Sequence, residues 1–106
     1  MADQGFDITT EVHGTRAVVA VTGELDLFTA PEFKRVLRDL DHEGVSDMTV
    51  DLTAATLLDS AGIAGLFGAY RRIRARGGRL TIHAEDPAIT EPLELTGLTD
   101  FVSLVA

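Results

Sequence analysis

Residues 47–84 contain a pattern that strongly limits how this chain can fold: an apolar run, a helical segment and a second apolar run. The first run, 47–52 (DMTVDL), and the second, 79–84 (RLTIHA), have the β-branched and aliphatic composition of strands. Between them, apolar residues recur at helical spacing and a glycine pair ends the segment. These apolar positions are Ile63, Leu66, Phe67, Tyr70 and Ile73. A strand, a helix and a strand in this order predict a parallel pair with a right-handed crossover.

The first part of the chain predicts a hairpin. Residues 6–11 (FDITTE) alternate between apolar and polar side chains, and residues 16–22 (RAVVAVT) form a β-branched run. The short connection between them contains Gly14, which suits a tight turn. We therefore expect the first two strands to be antiparallel.

A helix is predicted to follow the second strand. Thr29 is a candidate N-cap, Pro31 suits a first helical turn, and Glu32 is placed to complete a capping box. An apolar stripe then continues to about residue 41, and Gly44 marks the exit. Its members are Phe33, Val36, Leu37 and Leu40.

The C-terminal quarter leaves two questions open. Asp86 and Pro87 open a turn or a helix, but Pro92 is awkward inside one. Either the helix begins at Thr90, with Pro92 in its first turn, or a longer helix bends at Pro92. Gly97 is expected to close this helix, and residues 101–105 (FVSLV) suit either a strand or a helix.

The element order β-β-α-β-α-β-α predicts the α/β class. At 106 residues the chain has the size of one domain, so residues 1–106 are expected to form it alone. The alternation in the first strand suits a sheet that is covered on one side only. We therefore predict a mixed sheet of four to five strands, with helices packed mainly on one face.

Charge and composition argue against several classes of partner. Seventeen acidic residues against nine Lys and Arg give a formal net charge of −8, which disfavours binding to nucleic acid. There is no Cys for a disulfide or a thiolate metal site. The first residues do not resemble a signal peptide, and the apolar-leaning stretch 61–70 is too short to cross a bilayer. A cytoplasmic protein without a membrane partner is expected.

Five of the nine basic residues lie in one segment, which allows two interpretations. These are Arg71, Arg72, Arg74, Arg76 and Arg79. Cations in the last turn of a helix offset its C-terminal partial charge, and this is the favoured interpretation. The alternative is a basic patch that contacts an acidic partner.

The pair Asp59-Ser60 lies where the second predicted helix begins. Serine is a good N-cap, so Ser60 can have a purely structural role. The helix N-terminus is also an anion site, which suits a phosphorylated serine equally well. Position alone does not separate these two interpretations.

Small residues in the same helix indicate that something approaches its backbone closely, either the sheet or a partner. They are Ala61, Gly62, Ala64, Gly65, Gly68 and Ala69.

Enzymatic alternatives have weaker support. If their strands are neighbours, Asp26, Asp51 and Asp59 could gather at one sheet edge as a Mg²⁺-binding phospho-receiver, but the only lysine, Lys34, lies in the first helix. The sequence around Ser60 is not that of a serine hydrolase. The three histidines lack metal-ligand spacing, and no phosphate-binding glycine loop is present. We expect no metal, no cofactor and no enzymatic activity.

Three motifs in order resemble the STAS domain. They are VTGELDLFTAPEF, MTVDLTAATLLDSAGIAGL and GGRLTIHAEDPAITEPLELTGLTDFV, which together span the chain from about Phe6 to its end. The likeness is greatest to the bacterial anti-sigma factor antagonists. The resemblance implies a STAS-like fold and a regulatory function.

The resemblance also implies a phosphorylation switch. In that family a serine kinase that is also an anti-sigma factor phosphorylates the Ser of a D-S-x-G motif, which Asp59, Ser60 and Gly62 match here. The unphosphorylated form binds the kinase and frees its sigma factor, and a phosphatase reverses the modification. Ala61 follows the serine where many members have a second Ser or Thr. No back-up acceptor is therefore expected at that position, although Thr53 and Thr56 are expected in the loop nearby.

The partner-binding surface implied by the resemblance surrounds the serine. It comprises Asp26 of the GELD motif, Asp59, Ser60, Ala61, Gly62, Ala64 and Gly65. The alternative is a STAS subunit of another regulatory or lipid-transport assembly, in which Ser60 only caps the helix. The oligomeric state, monomer or weak dimer, stays open.

Overall fold

The computed structural model describes residues 5–106 and contains one five-stranded sheet with the order β1-β2-β3-β4-β5. The strands are β1 (Asp7–His13), β2 (Arg16–Leu25), β3 (Asp47–Leu58), β4 (Arg79–His83) and β5 (Ser103–Val105). The helices are α1 (Ala30–His42), α2 (Ser60–Ala75) and α3 (Pro87–Leu95), and a 3-10 turn covers Leu98–Asp100. The α/β class and the mixed sheet are confirmed.

The pairing of the strands follows from the length of their connections. β1 and β2 are joined by a two-residue turn with Gly14 at φ 64°, and they pair antiparallel as predicted. The other three pairings are parallel, because a helix connects each strand to the next. The predicted parallel pair around α2 is thus β3 and β4.

One face of the sheet holds the core. Buried side chains alternate with exposed or partly exposed ones along β4, residues 16–22 of β2 and residues 47–52 of β3. In the second half of β3 only Ala55 and Leu58 are buried. The three helices cover the buried face, where Phe33, Leu66 and Ile89 are completely enclosed. The prediction that helices pack mainly on one face is therefore correct.

β3 is longer than predicted, since it continues from Leu52 to Leu58. Its extension pairs with residues 22–25 of β2, with register irregularities after Ala20 and Gly23. The sequence TAATLL has no apolar–polar alternation that would mark a strand, and its extended backbone is stabilised by pairing with β2. Thr53 and Thr56, which we expected in a loop, lie in this strand instead.

The start of α1 differs from the predicted capping box. The helix begins after Thr29 as expected, but no side-chain hydrogen bond caps it. Thr29 Oγ1 instead donates to the Glu24 carbonyl at 2.8 Å and accepts from the Asp26 N–H at 2.9 Å. The threonine hydroxyl therefore stabilises the loop before the helix.

The two open questions at the C-terminal end are resolved. α3 begins at Pro87, with Asp86 as its N-cap, and contains Pro92 in its interior, which is the longer of the two alternatives. Gly97, at φ 83°, follows the helix end as predicted. Residues 103–105 of the last segment form strand β5 on the far edge of the sheet.

Candidate functional site

Asp59, not Ser60, caps helix α2. Its backbone is extended, and its Oδ1 accepts from the N–H groups of Ala61 at 2.9 Å and Gly62 at 3.3 Å. Two of the otherwise unpaired N–H groups at the helix start are thereby satisfied. The interpretation of Ser60 as the cap is wrong by one residue.

Ser60 is the first residue of α2 and is exposed. Its hydroxyl makes no hydrogen bond to any other part of residues 5–106. It stands at the end of the helix where the backbone N–H groups give a partial positive charge. Since the neighbouring carboxylate performs the capping, this hydroxyl has no structural partner to lose if it is modified.

The loop between β2 and α1 is held by Asp26. Its Oδ1 accepts from the N–H groups of Phe28 at 2.9 Å and Thr29 at 3.1 Å. Its own carbonyl accepts from the N–H of Ala30 at 2.8 Å, where α1 begins. The loop is thus a compact turn built on one aspartate.

The carboxylate of Asp59, through its other oxygen, also joins this loop to α2. Asp59 Oδ2 accepts from the Leu27 N–H at 3.1 Å, and the Asp59 N–H donates to the Leu25 carbonyl at 3.2 Å. The Asp26 turn and the Ser60 helix start therefore form one continuous surface. Two of the predicted partner-binding positions, Asp26 and Asp59, meet there.

Sequence reasoning missed the apolar side chains on this surface. Leu27 is 68% exposed and Phe28 is 88% exposed, although both are large and hydrophobic. The signal was present as a bulky apolar pair inside a segment otherwise typical of a turn.

The small residues of α2 divide into buried and exposed positions. A side chain at Gly62 would come within 2.7 Å of Leu25 Cγ, and one at Gly65 within 3.2 Å of Phe33 Cδ2. Both glycines are buried, so their small size allows α2 to pack closely on the chain's own core. Ala64 is exposed and faces away from that contact.

Asp51 does not join Asp26 and Asp59. It lies in the middle of β3, opposite Ala20 and His83, seven residues before Leu58. At about 3.3 Å per residue this separates it from the end of the strand by roughly 20 Å. Among residues 5–106, no group of three or more His, Cys, Asp and Glu could hold a metal ion. The phospho-receiver arrangement is not formed.

Asp51 has a local environment of its own on the open face of the sheet. Partial burial raises its pKa, but hydrogen bonds from the Thr53 hydroxyl (2.7 Å) and N–H (2.9 Å) stabilise the carboxylate. His83, whose Nδ1 is 3.9 Å from Asp51 Oδ1, also lowers the pKa of Asp51. The net result is a pKa below its ordinary value.

Part of the arginine segment serves helix packing. Arg76 pairs with Asp41 at the end of α1, with Nη2 2.6 Å from Oδ1, and also donates to the Val45 carbonyl. Arg72 Nε lies 3.9 Å from the other Asp41 oxygen. Arg72 and Arg74 lie in the last turn of α2, which agrees with the favoured interpretation.

The part of the chain that the structure describes contains no helix long and apolar enough to cross a membrane.

A mixed sheet with helices on one face, and an exposed serine where a helix begins beside a tight loop, define a small α/β domain of a known type. A family model described as "Mlab, STAS domain" matches residues 8–106. The chain belongs to the STAS-domain family, as its motifs indicated.

Several proteins to which this chain is similar are named anti-sigma factor antagonists. The anti-sigma-B factor antagonist of Staphylococcus epidermidis is 31% identical over 97 residues, which is 92% of this chain and 90% of the relative. A crystal structure of an anti-sigma factor antagonist from Mycobacterium paratuberculosis has a TM-score of 0.88 at 29% identity, covering 98% of this chain and 88% of that one. The predicted resemblance to this group is confirmed.

The fold extends to more distant proteins. The Bacillus cell fate determinant SpoIIAA, in its phosphorylated form, has a TM-score of 0.74 at 19% identity, covering 95% of this chain and 91% of that chain. At this identity the likeness concerns the fold alone.

Proposed function

We propose that this protein is an anti-sigma factor antagonist that is switched by phosphorylation of Ser60. Unphosphorylated, it binds an anti-sigma factor that is also a serine kinase, in the cytoplasm, and thereby frees the sigma factor. Phosphorylation ends the complex, and a protein phosphatase restores the first state. The observation that carries this proposal is the exposed Ser60 hydroxyl, left without a structural role because Asp59 caps α2.

In this reaction the chain supplies the hydroxyl that accepts the phosphoryl group, and the partner supplies the nucleotide and the catalytic groups. Ser60 Oγ attacks the γ-phosphorus of ATP, the bond from that phosphorus to the β-bridging oxygen breaks, and ADP leaves. The hydroxyl proton passes to a base of the kinase. Phosphoryl transfer depends chiefly on positioning and charge stabilisation, which a kinase supplies with Mg²⁺ and nucleotide. This protein acts as a substrate rather than as an enzyme.

The proposed contact surface lies around the start of α2. Asp26, Asp59 and Ser60 form its polar part, and Ala61 and Ala64 present small side chains that allow a partner to approach.

Gly62 and Gly65 belong to the same proposed surface but are buried. Because these glycines have no side chain, α2 packs close to the core, and this packing fixes the position of the residues that form the surface.

The position of the kinase's nucleotide explains why phosphorylation of Ser60 would end the complex. For transfer, the kinase must hold the γ-phosphorus about 3 Å from Ser60 Oγ. After transfer, the phosphoserine faces the nucleotide's remaining phosphates at short range, and like charges in a closed interface repel strongly. The phosphate must also lose water to remain there. The complex therefore dissociates while the fold stays unchanged.

The test is phosphorylation and binding with the cognate kinase. Incubation with kinase and ATP is expected to add one phosphate, located at Ser60 by mass spectrometry, and Ser60→Ala is expected to remain unlabelled while still binding. Ser60→Asp is expected to lose binding. Ser103→Asp adds the same charge at an exposed serine on the edge strand and should bind like the wild type. Label at another residue, or equal binding by the two Asp variants, would refute the proposal.

A STAS subunit of another assembly is the alternative function, and it requires Ser60 to be only structural. The absence of any Ser60 side-chain hydrogen bond within residues 5–106 speaks against that role. Affinity capture distinguishes the two, because the alternative predicts transporter or complex subunits in place of an ATP-binding kinase.

A further inference from the structure

The loop between β2 and α1 ends in two apolar side chains that face solvent. We call Leu27 and Phe28 the apolar tip. Phe28 is 88% exposed, whereas Phe33, five residues later, is completely buried. Leu27 and Phe28 are adjacent in the chain and both exposed, so they form a small apolar patch, and exposed apolar patches are frequent at contacts with other molecules.

We propose that the apolar tip is the anchor by which this protein binds its anti-sigma factor, with Phe28 inserted into a hydrophobic pocket of that partner. This inference rests on the proposed function and adds to it the residue that supplies affinity and selects the partner. Ser60 is then the position that switches the complex, and Phe28 is the position that holds it together.

The tip is held in place before binding. The Leu27 N–H donates to Asp59 Oδ2 at 3.1 Å, and the Phe28 N–H donates to Asp26 Oδ1 at 2.9 Å. Both backbone positions are therefore fixed by carboxylates while the two side chains project outward. Because the backbone of the loop is already ordered, binding does not have to order it, and aromatic residues are frequent affinity hot spots.

The position of the tip points to one occupant, the protein that reaches Ser60. Asp59 contacts Leu27 through one carboxylate oxygen and caps the helix that begins at Ser60 through the other. Neighbouring Cα atoms in the chain are only 3.8 Å apart, so Asp59 places the tip beside Ser60. A kinase whose nucleotide meets Ser60 Oγ covers this neighbourhood as well.

The charged residues near the apolar tip indicate which side chains should border the partner's pocket. Residues 23–34 and 55–65 together contain four carboxylates and one cation, Lys34, whose side chain lies beside Gly65. Those four are Glu24, Asp26, Glu32 and Asp59. We therefore expect an apolar pocket bordered by basic side chains, which complements an apolar tip in segments of net negative charge. An anti-sigma factor without such a pocket would leave Phe28 exposed or clash with it. This protein would therefore bind anti-sigma factors that have the pocket in preference to those that lack it.

The experiment compares Phe28→Ala with a matched exposed leucine. Leu95 is 87% exposed at the end of α3, so Leu95→Ala removes a similarly accessible apolar side chain elsewhere. Affinities for the cognate anti-sigma factor with bound ADP are measured by calorimetry. We expect a loss of about 10- to 100-fold for Phe28→Ala and a change of less than about twofold for Leu95→Ala.

A kinetic measurement separates anchoring from a structural effect. An anchor contributes equally before and during phosphoryl transfer, so Phe28→Ala should raise the KM for phosphorylation of Ser60 and leave kcat unchanged. A disturbed helix start would lower kcat as well. Phe28→Leu is expected to recover part of the affinity, and thermal unfolding of all variants should match the wild type.

The outcome also distinguishes this inference from the proposed function. If Ser60→Asp abolishes binding while Phe28→Ala binds within about twofold of the wild type, the anchor is refuted and the switch stands. If neither substitution changes binding, both are refuted. A lowered kcat with unchanged affinity in Phe28→Ala would also overturn the anchor.

Discussion

Asp59 and Leu27 are 32 residues apart in the chain, yet the carboxylate of one accepts a hydrogen bond from the backbone N–H of the other at 3.1 Å. The same carboxylate caps α2 with its second oxygen. One side chain thereby fixes both the helix start that presents Ser60 and the loop that presents Phe28. The geometry of the proposed binding surface depends on this residue more than on the serine beside it.

We predict that Asp59→Ala lowers the free energy of unfolding by about 1–2 kcal/mol, since it removes an N-cap and a loop contact. Ser60→Ala is the matched control at the adjacent position. Because Ser60 caps nothing, its change should stay within about 0.5 kcal/mol. Urea unfolding of both variants measures the difference. Equal destabilisation by the two substitutions would show that the serine shares the capping role.

Gly62→Ala is expected to destabilise the fold by about 1–3 kcal/mol through overpacking. The new Cβ would lie 2.7 Å from Leu25 Cγ and 2.8 Å from Leu58 Cδ1, so the core must shift. Gly68→Ala is the control in the same helix, where the nearest atom is the mobile end of Arg72 at 3.3 Å.

For Gly68→Ala we expect a neutral effect or a gain of up to about 1 kcal/mol from helix propensity. Thermal or urea unfolding compares the two variants. If Gly62→Ala were as stable as Gly68→Ala, close packing would not explain the glycine at position 62.

Arg76→Ala is expected to cost about 1–2 kcal/mol of stability, because the guanidinium joins Asp41 and the Val45 carbonyl where α1 and α2 meet. Arg35→Ala is the control, since Arg35 pairs with Asp39 on the surface of α1 at 3.4 Å. Exposed pairs of this kind contribute less than about 0.5 kcal/mol. A comparable loss in both variants, measured by chemical unfolding, would contradict a special role for Arg76.

The pKa of Asp51 is expected to rise towards its ordinary value in Thr53→Val, because one of the two hydrogen bonds to the carboxylate is lost. The folded-state pKa lies below the unfolded value, so Asp51 stabilises the fold above its ordinary pKa of 3.8. That contribution disappears as the pH falls through the folded-state value. Carboxyl NMR titration measures the shift.

Thr81→Val supplies the control for Asp51, since it makes the same substitution in the neighbouring strand β4 without removing a bond to the carboxylate. The Asp51 titration should be unchanged there. An identical titration curve in Thr53→Val and the wild type would refute the role assigned to the threonine hydroxyl.

The sequence by itself determined the order and type of most elements, because these depend on local physics. Alternation indicated β1, a β-branched run indicated β2, and helical spacing indicated α1 and α2. Gly14 and Gly97 marked a turn and a helix end through their freedom to adopt positive φ. The Asp59-Ser60 pair was found at the correct helix start. Sequence reasoning assigned the cap to Ser60, whereas the structure assigns it to Asp59, because both residue types are good caps and local patterns place a helix boundary only to within a residue or two.

The tertiary structure alone decided which distant residues meet. The extension of β3 to Leu58 and the strand β5 exist because a neighbouring strand supplies their hydrogen bonds, and no local pattern encodes that pairing. For the same reason Asp59 meets Leu27 while Asp51 stays apart. The exposure of Phe28 could not be predicted from the sequence either, because burial depends on what the rest of the chain covers and not on the residue's own hydrophobicity.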